Sequence, residues 1–114
     1  MQTKCLLACA DEKLLGAIIE DLLIKDDNLE LIEIIGTSEA EVLSAIDKQH
    51  PNVIIFCYKT HDAIPPIITL ISNEYPELLT ITITSDDNYM HINGKQKILV
   101  TQTSDLLSVI HNHY

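Results

Sequence analysis

Pro51-Asn52-Val53-Ile54-Ile55-Phe56-Cys57-Tyr58 is the stretch on which the fold of this chain turns. It is apolar and β-branched without alternation, opens on a proline, and gives way to the polar Lys59, Thr60, His61 and Asp62. An unbroken apolar run of this kind predicts a strand covered on both faces, as in a parallel sheet lying between two layers of helices. In open α/β sheets ligands bind outside the carboxyl ends of the strands, so Cys57 and the loop after it stand where chemistry is expected.

Outward from that strand the chain alternates. Toward the N-terminus, Lys4-Cys5-Leu6-Leu7-Ala8-Cys9-Ala10 is a second continuous apolar run bounded by Asp11 and Glu12, hence a second buried strand. Residues 12–25 place Leu14, Ile18 and Leu22 on one line with Leu15, Ile19 and Leu23 beside them, the spacing of a helical face. Asp26-Asp27-Asn28 reads as a turn, and residues 31–36 (Leu31-Ile32-Glu33-Ile34-Ile35-Gly36) as another strand. Ser38 and Glu41 have capping-box spacing and open a second helix with Val42, Ala45 and Ile46 inward. Past the central strand, Pro65-Pro66 suits the first turn of a third helix that carries Ile67, Ile68, Leu70 and Ile71 and ends before Pro76. Residues 78–84 alternate and are rich in Ile and Thr, a strand by local preference. The order β-α-β-α-β-α-β implies a parallel sheet wound with right-handed crossovers.

Residues 85–94 break the rhythm. Tyr89, Met90 and Ile92 do not make a stripe long enough for a sheet-covering helix, and Asn93-Gly94 is a strong hairpin signal between residues 89–92 and 95–100. The fourth helix is therefore expected to be reduced or replaced by a hairpin. The last full strand is reached either by a very tight crossover or through a small antiparallel strand. Thr103 or Ser104 then caps a final helix with Leu106, Leu107, Val109 and Ile110.

The 114 residues, 46% hydrophobic, suffice for one domain with a real core, so residues 1–114 are read as a single domain. Asp plus Glu number 17 against 7 Lys plus Arg, a formal charge of -10, which disfavours direct binding to nucleic acid or to an anionic membrane. No apolar stretch is long enough to span a bilayer, and the N-terminus lacks the long core and cleavage site of a signal peptide, so a cytoplasmic protein is expected. Three cysteines, an odd number, argue against a structural disulfide framework.

Residues 32–36 before the second helix and Pro51-Asn52-Val53-Ile54-Ile55-Phe56-Cys57 together resemble the receiver domain of two-component response regulators, and the resemblance covers nearly all of the chain. It implies a flavodoxin-like, CheY-like three-layer α/β/α sandwich with a mostly parallel five-stranded sheet of order 2-1-3-4-5. In that family an acidic pair ends the first strand and holds Mg²⁺, an aspartate ending the third strand takes a phosphoryl group, a Ser or Thr ends the fourth, and a lysine ends the fifth. Carried over by position, the acidic pair falls on Cys9 and Ala10, the acceptor on Cys57, the hydroxyl on Thr84 and the lysine on Thr101. Only the threonine fits the pattern. Shifting the pair to Asp11 and Glu12 places the charged Glu20 where the family has an apolar helix residue. In either register residue 57 has no carboxylate to act as nucleophile, and Cys9, Ala10 and Cys57 offer no hard oxygens to Mg²⁺.

The resemblance is thus to a degenerate member, a pseudo-receiver. It implies a signalling module independent of phosphorylation, without catalysis, cofactor or metal, that binds a bacterial signalling protein or a second copy of itself. Tyr89, Met90 and Ile92, with Lys95 and Lys97 guarding an edge, are its candidate interaction surface; the other reading folds Tyr89 and Ile92 back over the sheet. A second function class uses Cys9 and Cys57, expected at the ends of adjacent strands, as a redox pair or as part of a small-ligand site. Against it, free cysteine commonly behaves as a small buried hydrophobe. His61, Asp62 and Asp11 match no zinc spacing, and His111 and His113 suit the C-terminal end of a helix or solvent.

Overall fold

The computed structural model describes residues 2–9, 12–36, 38–93, 96–102 and 104–113, with the backbone alone at Glu33, His61 and His113. Along the chain run β1 (Thr3–Ala8), α1 (Lys13–Ile24), β2 (Leu29–Ile35), α2 (Glu39–Gln49), β3 (Val53–Tyr58), a 3-10 turn (His61–Ala63), α3 (Ile67–Glu74), β4 (Leu79–Thr84), β5 (Tyr89–Ile92), β6 (Gln96–Leu99) and α4 (Ser104–His113). Among the described residues these strands make one six-stranded sheet of order β2-β1-β3-β4-β5-β6.

The first four strands are parallel, with β1 and β3 at the centre and every residue of β3 buried, as its unbroken apolar run requires. The expected five-strand order fails beyond β4. Only residues 85–88 separate β4 from β5, too few for a parallel crossover, so the chain doubles back and β5 pairs antiparallel with β4. The strand expected in fifth place is thereby pushed to the edge as β6, antiparallel to β5. Asn93 sets the turn between them: its φ is 54°, its side-chain oxygen accepts from the Thr80 amide at 2.9 Å, and its own amide donates to the Thr80 carbonyl at 2.8 Å. Asparagine tolerates this left-handed conformation better than most residues.

Two apolar clusters flank the sheet. On one face Cys5, Leu7, Val53, Ile55 and Ile81 pack under Ile19 and Leu23 of α1 and under Leu106 and Ile110 of α4. On the other, Leu6, Ala8, Ile54 and Phe56 pack under Val42, Ala45 and Ile46 of α2 and under Ile67, Ile68 and Ile71 of α3. The odd and even residues of β1 and β3 divide between the faces as the two-residue period of a strand demands. In α1 the inward line is Gly16, Ile19 and Leu23, whereas Leu14 and Ile18 of the expected first line face solvent.

The capping box of α2 forms with one difference from expectation. The Ser38 hydroxyl accepts from the Glu41 amide at 3.3 Å and donates to Glu41 Oε1 at 2.9 Å. Glu41 Oε2 accepts from the amide of Gly36 at 3.2 Å rather than from that of Ser38. A Cβ on Gly36 would sit 2.6 Å from that carboxylate, so glycine there permits the reach.

Candidate functional site

Parallel pairing of β1 with β3 runs in register from Cys5 opposite Val53 to Ala8 opposite Phe56. One step further Cys9 stands opposite Cys57, their Cα atoms 4.6 Å apart, and the two are joined as a disulfide. That separation lies within the span a disulfide bridges. The expected burial is present, at 5% exposure for Cys9 and none for Cys57. The expectation that they are free, inert thiols is corrected: the sheet register brings the two sulfurs together on one face. The remaining cysteine, Cys5, is free and fully buried in β1, where burial and then the charge of Asp26 push its thiol up to about 12.

The first turn of α1 lies directly over the bridge. Gly16 touches Cys9 so closely that an added Cβ would fall 2.8 Å from the Cys9 Cβ, and the Glu12 amide donates to the Cys9 carbonyl at 3.3 Å. The Glu12 carboxylate accepts from the Ser85 hydroxyl at 2.7 Å, tying the start of α1 to the loop after β4. That bond lowers the Glu12 pKa, helped by the amides of Leu15 and Leu14.

Of the other expected site positions, Thr84 is buried at the end of β4 opposite Tyr58. Thr101 is exposed and gives both its amide and its hydroxyl to Asp105 Oδ2, at 2.8 and 3.1 Å, so it serves the start of α4. Ala10, Asp11 and Lys95 lie outside the described residues, as does the side chain of His61; Asp62 is exposed. Among the described residues no group of three or more His, Cys, Asp or Glu is arranged to hold a metal ion. His111 is exposed near the end of α4, and its Nε2 lies 2.8 Å from Asp26 Oδ2; this contact lowers the Asp26 pKa, followed by the bond from the Asn28 amide, while the side chain of His113 lies outside the described residues.

The candidate interaction residues divide. Met90 is fully buried and Ile92 6% exposed; both pack against Ile81 and Ile83 beneath α4, which corrects their placement on a docking surface. They alternate toward the α4 face because β4 supplies apolar partners there. Tyr89 is half-buried, with the Lys97 ammonium 4.4 Å from its ring centroid, and Leu99 beside it is 52% exposed.

A groove that the sequence reading did not anticipate runs between α1 and the β5–β6 side of the sheet. It encloses about 470 Å³, with Leu14, Ile18 and Leu22 on one wall, Ile83 in its floor, and Val100 and Leu106 opposite. Glu12 and Asp87 mark the end nearest the strand termini. Its physical cause is the inserted β5. An extra strand moves the start of α4 outward by roughly one strand spacing, ~4.8 Å, and opens a gap beside α1. The signal in the sequence was a second apolar line on α1, of which the core takes up only Leu22 and leaves Leu14 and Ile18 exposed.

No protein-family model, curated protein or solved structure matches the chain.

Proposed function

We propose that the chain is a receiver-like signalling module that acts by protein–protein interaction and takes no phosphoryl group. The observation that carries this reading is the Cys9–Cys57 bridge at the carboxyl ends of β1 and β3. The place where a receiver would need a carboxylate nucleophile and hard oxygen ligands holds two buried, mutually bonded sulfurs. Function then falls to the surface, where the chain exposes apolar side chains on α1 and on β6. The acidic charge suits a basic protein surface better than nucleic acid, and no described helix is long and apolar enough to cross a membrane. Incubation with acetyl phosphate and Mg²⁺ tests the reading by mass spectrometry. The expected mass is unchanged, and a stable acid-labile adduct of one phosphoryl group overturns it.

The bridge also favours a second reading, redox sensing. A dithiol reductant would donate two electrons and two protons, converting the Cys9–Cys57 disulfide to two thiols while itself closing to a disulfide. Titration against a glutathione redox buffer tests it. A midpoint within the physiological range supports sensing, whereas a bridge that survives millimolar reduced glutathione is structural.

A further inference from the structure

We propose that the Cys9–Cys57 bridge holds down the first turn of α1, so that reducing it lifts that turn and reshapes the adjoining end of the groove. This deepens the redox-sensing reading and rests on it, by naming the element through which the state of the bridge reaches the surface. The bridged Cα atoms stand 4.6 Å apart, close to the ordinary spacing of paired strands. The backbones of β1 and β3 therefore stay where they are when the bond between the sulfurs is cut, and the side chains take up the change. Bonded sulfurs stand about 2 Å apart, whereas two thiols in van der Waals contact need roughly 4 Å. Within the sheet the pair is boxed in: Cys57 is fully buried with Ile83 of β4 opposite it in register, and both face the layer of α1 and α4.

The neighbour that gives way is α1. Gly16 is buried against Cys9, a Cβ built on it falling 2.8 Å from the Cys9 Cβ and 3.7 Å from its Sγ. That gap is too small for a methyl group, so a sulfur swung away from Cys57 pushes the turn outward. The turn is also tied to both sides of the bridge. The Glu12 amide donates to the Cys9 carbonyl at 3.3 Å, the Glu12 carboxylate accepts from the Ser85 hydroxyl at 2.7 Å, and the Ser85 amide donates to the Tyr58 carbonyl at 3.0 Å. These bonds close a ring from Cys9 through Glu12, Ser85 and Tyr58 back to Cys57, and its exposed link, Glu12 to Ser85, lines the groove. Leu14, Leu15 and Ile18 follow on α1 as the groove's wall and Ile83 is its floor, so lifting the turn moves wall against floor. The step consumes a thiol reductant: two glutathione thiols supply two electrons and two protons, Cys9 and Cys57 become thiols, and glutathione disulfide leaves.

Gly16→Ala tests the contact. Its methyl collides with Cys9 while the bridge holds α1 down and is accommodated once the turn has lifted. In a glutathione redox buffer the variant's equilibrium constant for reduction should therefore exceed the parent's by about tenfold or more. A contact that only supports the fold penalises both redox states alike and leaves the constant unmoved. Hydrogen exchange on the unsubstituted protein supplies a second readout that does not depend on the variant folding. The Gly16 amide donates to the Glu12 carbonyl and the Val42 amide to the Ser38 carbonyl, each at 3.0 Å, so both lie in the first turn of a helix, on opposite faces of the sheet. Reduction by a dithiol should cut the protection of the Gly16 amide about tenfold more than that of the Val42 amide. Equal loss at both amides, or a reduction constant that Gly16→Ala leaves unchanged, overturns the coupling to α1 while sensing stands. A bridge that survives millimolar reduced glutathione overturns the sensing reading on which the inference rests.

Discussion

Opening the Cys9–Cys57 bridge should cost the fold a large part of its stability, and the size of the loss follows from the loop it closes. The two residues are 48 apart in sequence. Releasing a loop of that length returns about 14 cal/mol/K of entropy to the unfolded chain, or about 4 kcal/mol at 25 °C. The native state changes less, because β1 and β3 stay paired through their hydrogen-bond ladder from Cys5 to Ala8. Urea unfolding followed by circular dichroism, with and without a dithiol reductant, measures the difference. For a urea slope of about 1.5 kcal/mol/M the midpoint should fall by about 2.7 M on reduction. The unfolded protein should titrate one thiol, that of Cys5, before reduction and all three cysteines after it. Midpoints that coincide, or three thiols titrating without reductant, would refute the reasoning.

Gly16→Ala gains about 1 kcal/mol of helix propensity but forces a Cβ to within 2.8 Å of the backbone-anchored Cys9 Cβ, so a net loss of about 1–2 kcal/mol is expected. An unchanged or raised melting temperature would show that α1 does not rest on the bridge. Met90→Ala should lose about 2–4 kcal/mol through a core cavity, and Tyr89→Ala under half of that; the reverse order in thermal melts would put Met90 at the surface. The folded-state pKa of Asp26 is lowered, so its stabilising contribution is present above its unfolded value near 4 and is lost as pH falls through the folded value. Asp26→Asn should therefore be less stable than the parent at pH 7, with the gap closing on acidification, and a gap constant with pH would contradict the assignment.

The central strands, the capping box at Ser38 and Glu41, and the hairpin at Asn93 were legible because each rests on local chemistry: unbroken apolar runs, a fixed three-residue spacing, and a side chain that tolerates positive φ. The position of Cys9 opposite Cys57 was legible too, as the ends of adjacent strands. Their bonding was not, because sequence alone does not fix strand register to one residue, and buried cysteines are more often thiols. Met90 and Ile92 were ambiguous for the same reason, since a shift of one residue in pairing with β4 turns both outward. The link between His111 and Asp26 joins residues 85 apart and depends on where α4 lands, which the displaced β6 decides. So does the groove, of which the local pattern shows only the surplus apolar residues of α1.

Cys5 gives the molecule an internal gauge of its own opening. A thiol reacts as its thiolate, and at a pKa of about 12 only about one in ten thousand would be ionised at pH 8 even if a reagent could reach it. With α1 and α4 packed over the face of the sheet that its side chain occupies, no reagent reaches it until that helical layer lifts. Its alkylation rate in buffer without denaturant is therefore set by rare excursions that expose β1, and comparing that rate with the thiol in unfolded chain converts directly to the free energy of those excursions. Because the bridged pair contributes no thiol, the signal comes from this single residue, and the protein needs no added label to report how often its centre comes apart.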